Sequence, residues 1–305
     1  MKKTAFIVLL VFCSIKSTAC DICGCGVGNN YIGVLPEFRK HIIGMRYRYN
    51  SIITHVGVGG ASTYLTTNEH YQTIELWGGF QLSPKWRLLS NLPYSFNNKL
   101  NSTGKTTKQG IGDISNTLFY QLVNTKTTLK NQQLLINSLW LGAGIKLPLG
   151  KYNPVDKSTS SSNNLFQLGT GSTDFSLAAM YDLRYYDAGL NMNTNYKITT
   201  ANNDHYQYGN KFTFSSSLYY KINIQNKVTL VPNIGFVIEQ SAKDADFNEV
   251  VDISGGRVTM SSIGLEATIK KIAFGVNFQE PQYQNLALGT IKANSRTMVH
   301  ISFLL

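Results

Sequence analysis

Residues 190–198 read Leu190-Asn191-Met192-Asn193-Thr194-Asn195-Tyr196-Lys197-Ile198. Apolar and polar side chains alternate almost without a break. Period two is the signature of a β-strand, whose successive side chains point to opposite faces. One face here carries Leu190, Met192, Tyr196 and Ile198; the other carries Asn191, Asn193, Asn195 and Lys197.

The same pattern recurs on both sides of this stretch. Ile43, Met45, Tyr47 and Tyr49 alternate with Gly44, Arg46, Arg48 and Asn50. Ile74 and Leu76 alternate with Thr73 and Glu75, and Trp86, Leu92, Tyr94 and Phe96 with Arg87, Asn91, Ser95 and Asn97. Further runs continue to Val299, Ile301, Phe303 and Leu305, about 12 in all. Trp77, Leu89 and Trp140 break the pattern and are expected on the polar side.

The polar face is Asn, Ser, Thr, Gly and charges. A soluble sandwich or a lipocalin-like barrel would put its apolar face inside. Here the inverse arrangement, apolar out and polar in, suits lipid. Lipid leaves no open strand edge a water partner, so a closed barrel is the solution. The links agree. Short ones fall at 83–85, 184–185, 225–226 and 270–271, with a somewhat longer one at 124–131. They alternate with polar links near 51–70, 98–110, 150–171, 200–208, 241–257 and 281–295. Short periplasmic turns alternating with long external loops characterise even-stranded transmembrane barrels. Outward aromatics fall in two groups, Trp86, Tyr120, Tyr181 and Tyr220 near short links and Tyr47, Tyr94, Tyr196 and Phe212 near long ones. Such rings suit the two bilayer interfaces. The sequence therefore predicts an all-β fold, a transmembrane antiparallel β-barrel of about 12 strands over residues 40–305. It sits in the outer membrane of a Gram-negative cell with both termini periplasmic, and its expected partners are outer-membrane lipid and the barrel-assembly machinery. The run Val299–Leu305 is expected to carry the assembly signal.

Ahead of the barrel, Met1-Lys2-Lys3, an apolar run Ala5–Phe12 and Ser17-Thr18-Ala19 before Cys20 read as a cleaved signal peptide, residues 1–19. The apolar run is far shorter than the about 20 residues a spanning helix needs. Residues 20–39 form a periplasmic Cys/Gly-rich segment.

The net charge is +11, and +8 once Lys2, Lys3 and Lys16 leave with the signal, from 25 basic against 17 acidic side chains. The charges are scattered, with no basic run of five, so a nucleic-acid partner is not expected. None of His41, His55, His70, His205 and His300 lies in a nucleophile motif, so no enzyme is expected. His55, His70 and His205, in or beside long links, are solvated residues or metal ligands.

Two constellations remain. Cys20-Asp21-Ile22-Cys23-Gly24-Cys25 offers three thiols that can hold a soft ion, copper or zinc. The alternatives are a Cys23–Cys25 disulfide in an oxidising compartment and lipidation of Cys20. The second constellation is the set of inward charges: Arg46, Arg48, Glu75, Asp113, Lys146, Asp174, Lys197, Lys221 and Glu266, with Asp182, Glu239 and Lys270. They either select a permeant or fill the lumen as salt bridges. Barrels of about eight strands are filled by side chains and those of about 16 or more leave a channel, so 12 leaves both readings open.

Gly110-Ile111-Gly112-Asp113, followed by Leu118-Phe119-Tyr120, resembles the Gly-x-Gly-Asp strand of the outer-membrane proteins named for the MetA pathway of phenol degradation. Leu168-Gly169-Thr170-Gly171-Ser172-Thr173-Asp174-Phe175 resembles their later Gly-rich strand start. The resemblance extends over residues 40–305 and implies an outer-membrane barrel for passive transport of small solutes, including hydrophobic or aromatic compounds. The leading Cys segment departs from that family's usual start and leaves room for metal handling. A structural or partner-binding barrel with a closed lumen is the third alternative. Independently of any family, Gly110 and Gly112 suit a bulge, and Asp113 and Asp174 either face the lumen near the external mouth or cap a turn.

Overall fold

The computed structural model describes residues 41–57, 60–102, 104–128, 134–155, 164–225 and 227–305. The signal peptide, the 20–39 segment and Cys20, Cys23 and Cys25 lie outside the described residues.

The strands run antiparallel and in chain order: β1 (Ile42–Thr54), β2 (Thr67–Gln81), β3 (Trp86–Asn101), β4 (Gly104–Ile111), β5 (Ile114–Thr128), β6 (Leu134–Leu147), β7 (Asp174–Tyr185), β8 (Ala188–Ile198), β9 (Tyr206–Gln207), β10 (Lys211–Tyr220), β11 (Ile222–Ile224), β12 (Val228–Ser241), β13 (Ala245–Asp246), β14 (Glu249–Val250), β15 (Gly256–Ile269), β16 (Ile272–Leu286) and β17 (Lys292–Leu304). β4 and β5 both pair with β3 and make one stave; β10 and β11 both pair with β12 and make another. β1 pairs with β17, from Ile42 opposite Leu304 to Ile53 opposite Lys292, which closes a ring of 12 staves. Closure leaves the barrel no open edge.

Alternation sets the two faces. Met45, Leu76, Leu118, Leu177, Leu218, Ile234 and Ile263 are exposed on the outside, while Arg46, Glu75, Asn91, Ser95, Asn233 and Glu266 are buried inside. Outward rings pair near each rim: Trp86 with Tyr120 at 4.9 Å between centroids, and Tyr94 with Phe96 at 4.9 Å. Tight links join strands at one end, at 82–85, at Tyr186-Asp187 and at Lys270-Lys271. Tyr186 and Lys270 adopt positive φ there, 55° and 53°, as two-residue hairpin turns of the primed types demand. The ladder is interrupted at one stave. Pro232, which has no N–H to donate, lies where β10 gives way to β11 against β12.

Three expectations are corrected. The stretch 98–110, read as a loop, is a hairpin: β3 continues to Asn101 and β4 returns from Gly104. The stretch 281–295 is mostly ladder too, with only 287–291 outside strand. In the first, most residues of β4 are exposed and polar residues on both sides erase the alternation; in the second, Leu286, Ile291 and Ala293 are buried among polar neighbours. Lys270 does not face the lumen; it is exposed in the β15–β16 turn.

Candidate functional site: the filled lumen

The lumen is layered. At the long-loop end residues 164–173 of the connection between β6 and β7 turn inward. Leu165, Phe166 and Leu168 on it are buried. Leu165 and Phe166 join Ile52, Tyr71, Tyr206, Tyr208, Val258, Met260 and Leu286 in one apolar cluster inside the mouth. Neighbouring loops clamp it: the Tyr208 hydroxyl donates to the Asn164 carbonyl at 2.9 Å, Lys108 Nζ donates to the Phe166 carbonyl at 2.7 Å, and Asn202 Nδ2 donates to the Thr170 carbonyl at 3.0 Å. A small sheet of β9, β13 and β14 links two further loops over the same end.

The Gly-x-Gly-Asp motif anchors this loop. Asp113 lies in the break between β4 and β5, and its carboxylate accepts the backbone N–H groups of Gly150 and Thr170, each at 2.9 Å. Gly169 must be glycine: a Cβ there would sit 2.4 Å from Asp113 Oδ1 and 2.5 Å from the Gly150 carbonyl. Lys146 Nζ bridges Asp113 at 2.9 Å and Asp174 at 2.8 Å, and hydrogen-bonds Thr170 Oγ1. Lys197 also faces Asp174, at 3.6 Å. Asp174 accepts from Ser172 Oγ at 2.8 Å. Four of the expected lumen charges thus meet at one place, below the inturned loop.

Deeper, Glu75 is completely buried and takes Arg46 at 3.3 Å on one side and Arg48 on the other. Glu239 takes Arg296 through both terminal nitrogens, at 2.7 and 3.2 Å, and Lys211 at 3.5 Å. Glu266 pairs with His300 at 2.9 Å. Lys221 stands apart from these groups at the short-turn end, its ammonium 5.9 Å from the Tyr219 ring centre. Lys211 and Arg296 are absent from the sequence-derived set. Arg296 continues the inward alternation His300, Met298, Arg296 and was legible in that pattern; Lys211 sits at a strand's first residue, where alternation gives no phase.

Toward the short-turn end apolar and aromatic side chains fill the lumen beside the buried Arg87. Trp77 packs with Ile42, Leu304, Leu89 and Met180, and Phe119 and Trp140 pack with Ala178, Leu89 and Met180. Trp77, Leu89 and Trp140, the three exceptions to the pattern, do turn inward. Arg46 lies over Trp77 at 5.4 Å, joining the charged layer to the aromatic one. Among the described residues, one small cavity of about 40 Å³ lies beside Arg46, Trp77 and Phe119, and another of about 30 Å³ beside Arg48 and Arg296.

The loop histidines have other partners. Tyr49 Oη and His70 Nδ1 are 2.9 Å apart, and His205 packs on Phe247 with centroids 4.8 Å apart. At His55 burial, then the Lys99 charge, lowers the pKa and favours the neutral ring. Among the described residues no cluster of His, Cys, Asp or Glu forms a metal site.

Solved structures share this architecture. An outer-membrane channel from Pseudomonas putida F1 superposes with a TM-score of 0.62 at 15% identity, covering 91% of this chain and 98% of that one. The β-domain of the Bordetella autotransporter BrkA gives a TM-score of 0.50 at 10% identity, covering 88% and 100%. At such identities the likeness is one of fold: a closed barrel of the outer-membrane type. No family model matches the sequence. No curated protein matches it either. The MetA-type resemblance therefore rests on the two motifs alone.

Proposed function

We propose that this chain is an outer-membrane channel for the passive passage of small solutes, with amphiphilic and aromatic compounds as the preferred class. The observation that carries this reading is the lumen's layering. Buried arginines and carboxylates lie between an apolar cluster at the mouth and an aromatic layer at the other end. The small cavity lined by both Arg46 and Trp77 lies where the charged and aromatic layers meet. In this reading the long loops face outward from the cell, the termini lie in the periplasm, and the barrel-assembly machinery inserts the chain. The fold's likeness to a known channel supports the reading. No energy source is needed, since the solute moves down its gradient.

Liposome swelling tests it. Vesicles carrying the mature barrel should swell in a small sugar such as arabinose and stay intact in a trisaccharide such as raffinose. A folded, inserted barrel that admits neither contradicts passage. Equal swelling in both contradicts the filled lumen.

A further inference from the structure

We propose that the layer between β1 and β17 is a binding site for an organic carboxylate with an apolar body. The inference deepens the channel reading by naming a substrate class, and rests on it only for the route by which the ligand arrives.

Register places the two key residues together. Arg48 lies opposite Met298, and Arg296 lies opposite Asn50, so the two arginines are diagonal neighbours on the inner wall. Both line the cavity of about 30 Å³, together with Tyr71, Thr73 and Gln279. Arg46 and Arg48 share Glu75, and Arg296 and Lys211 share Glu239, so the wall beside the cavity is rich in guanidinium and ammonium groups.

One donor is left over. Arg296 is 7% exposed, and its Nε has no hydrogen-bond partner although both terminal nitrogens are on Glu239. A buried donor without an acceptor is the kind of group a ligand satisfies, and guanidinium donors match carboxylate oxygens in geometry.

Size and surroundings narrow the ligand. A water needs about 10–15 Å³ of such space, so this cavity takes about two water-sized atoms. That is the two oxygens of a carboxylate rather than the four of a phosphate. On one side Tyr71 leads to the apolar cluster of the mouth; on the other, beyond Arg46, lie Trp77, Leu89, Phe119 and Met180. A ligand whose head sits on the arginines has an apolar layer on either side, and its body takes its place there by displacing side chains of that layer.

The test is calorimetric titration of benzoate into the mature barrel extracted from outer membranes. Benzyl alcohol serves as the same body without charge, and inorganic phosphate as charge without the body. Saturable benzoate binding is expected, with both comparison probes about tenfold weaker or more. Arg48→Gln with Arg296→Gln should weaken benzoate by about tenfold or more, and Arg48→Lys with Arg296→Lys by less. Heat-modifiable migration on a gel shows that each variant is folded; if the Gln pair does not fold, the Lys pair and the two probes decide. Absence of saturable benzoate binding to the folded wild type, equal affinity for either probe, or unchanged affinity in a folded Gln pair would overturn the site. A barrel that binds benzoate but passes no solute in the swelling assay keeps the site and loses the channel. One that passes solutes without binding benzoate does the reverse.

Discussion

Asp113 organises more of the mouth than any charge around it. Its carboxylate holds two backbone amides of an inturned loop and a lysine that also serves Asp174. The cost of losing such a buried partner is typically about 3–5 kcal/mol, and Asp174 beside Lys146 keeps the loss toward the lower figure. Gly169 makes the contact sterically attainable, since a methyl group would overlap Asp113 and the Gly150 carbonyl. Gly169→Ala should therefore leave the barrel heat-modifiable while loosening the loop. Limited proteolysis reads the change: cleavage within 148–173 should speed up several-fold against wild type. An unchanged cleavage rate would mean that the Asp113–loop contact does not hold the mouth.

At the scale of the strand, lipid is the solvent that sets the rule. Ile234 is 62% exposed on the outer face of β12. An arginine at the bilayer midplane of such a face costs about 2–4 kcal/mol, against about 0–1 near the interfaces. Ile234→Arg should lose stability on that scale in urea titrations of vesicle-inserted barrel. Tyr64→Arg, in the β1–β2 link where Tyr64 is 81% exposed, should stay within about 0.5 kcal/mol. Equal losses would argue that the outer face is not in lipid.

The same solvent rule decides what was legible. Residues 190–198 are strand on sight because water bounds one face and lipid the other. Lys105, Thr106 and Thr107 on β4 are strand as well, but all three are exposed, so the sequence there looks like a loop. Leu165 and Phe166 were illegible for a different reason. They belong to no periodic element, and long-range contacts from Lys108, Asp113, Asn202 and Tyr208 hold them in the lumen. Trp77 and Trp140 stand out because they violate the inward-polar pattern, and Phe119, between the outward Leu118 and Tyr120, violates it in the same way. The charge pairs needed register: Arg46 opposite Glu75 follows once the β1–β2 ladder is fixed, whereas Arg296 with Glu239 joins strands distant in sequence.

For the whole molecule, ring closure and lumen filling act together. β1 and β17 close the ring, and the last residues complete it: Leu304 N–H donates to the Lys271 carbonyl at 2.8 Å and Leu305 N–H to the His41 carbonyl at 2.9 Å. Twelve staves make a lumen wider than that of the barrels of about eight strands, which wall side chains fill, and narrower than that of the barrels of about 16 strands, which leave a channel. The inturned loop takes up part of that space at one end and the Trp77, Phe119 and Trp140 layer part of it at the other. In the proposed channel a solute is small and meets both charged and apolar walls.

Single-channel recording in a planar bilayer tests this account most directly, with wild type beside Asp113→Asn. Wild type should show small discrete conductance steps, and Asp113→Asn, its loop anchor weakened, should show larger or longer openings. Silence from both barrels after verified insertion, or identical traces from the two, would contradict a channel whose mouth is held closed by this loop.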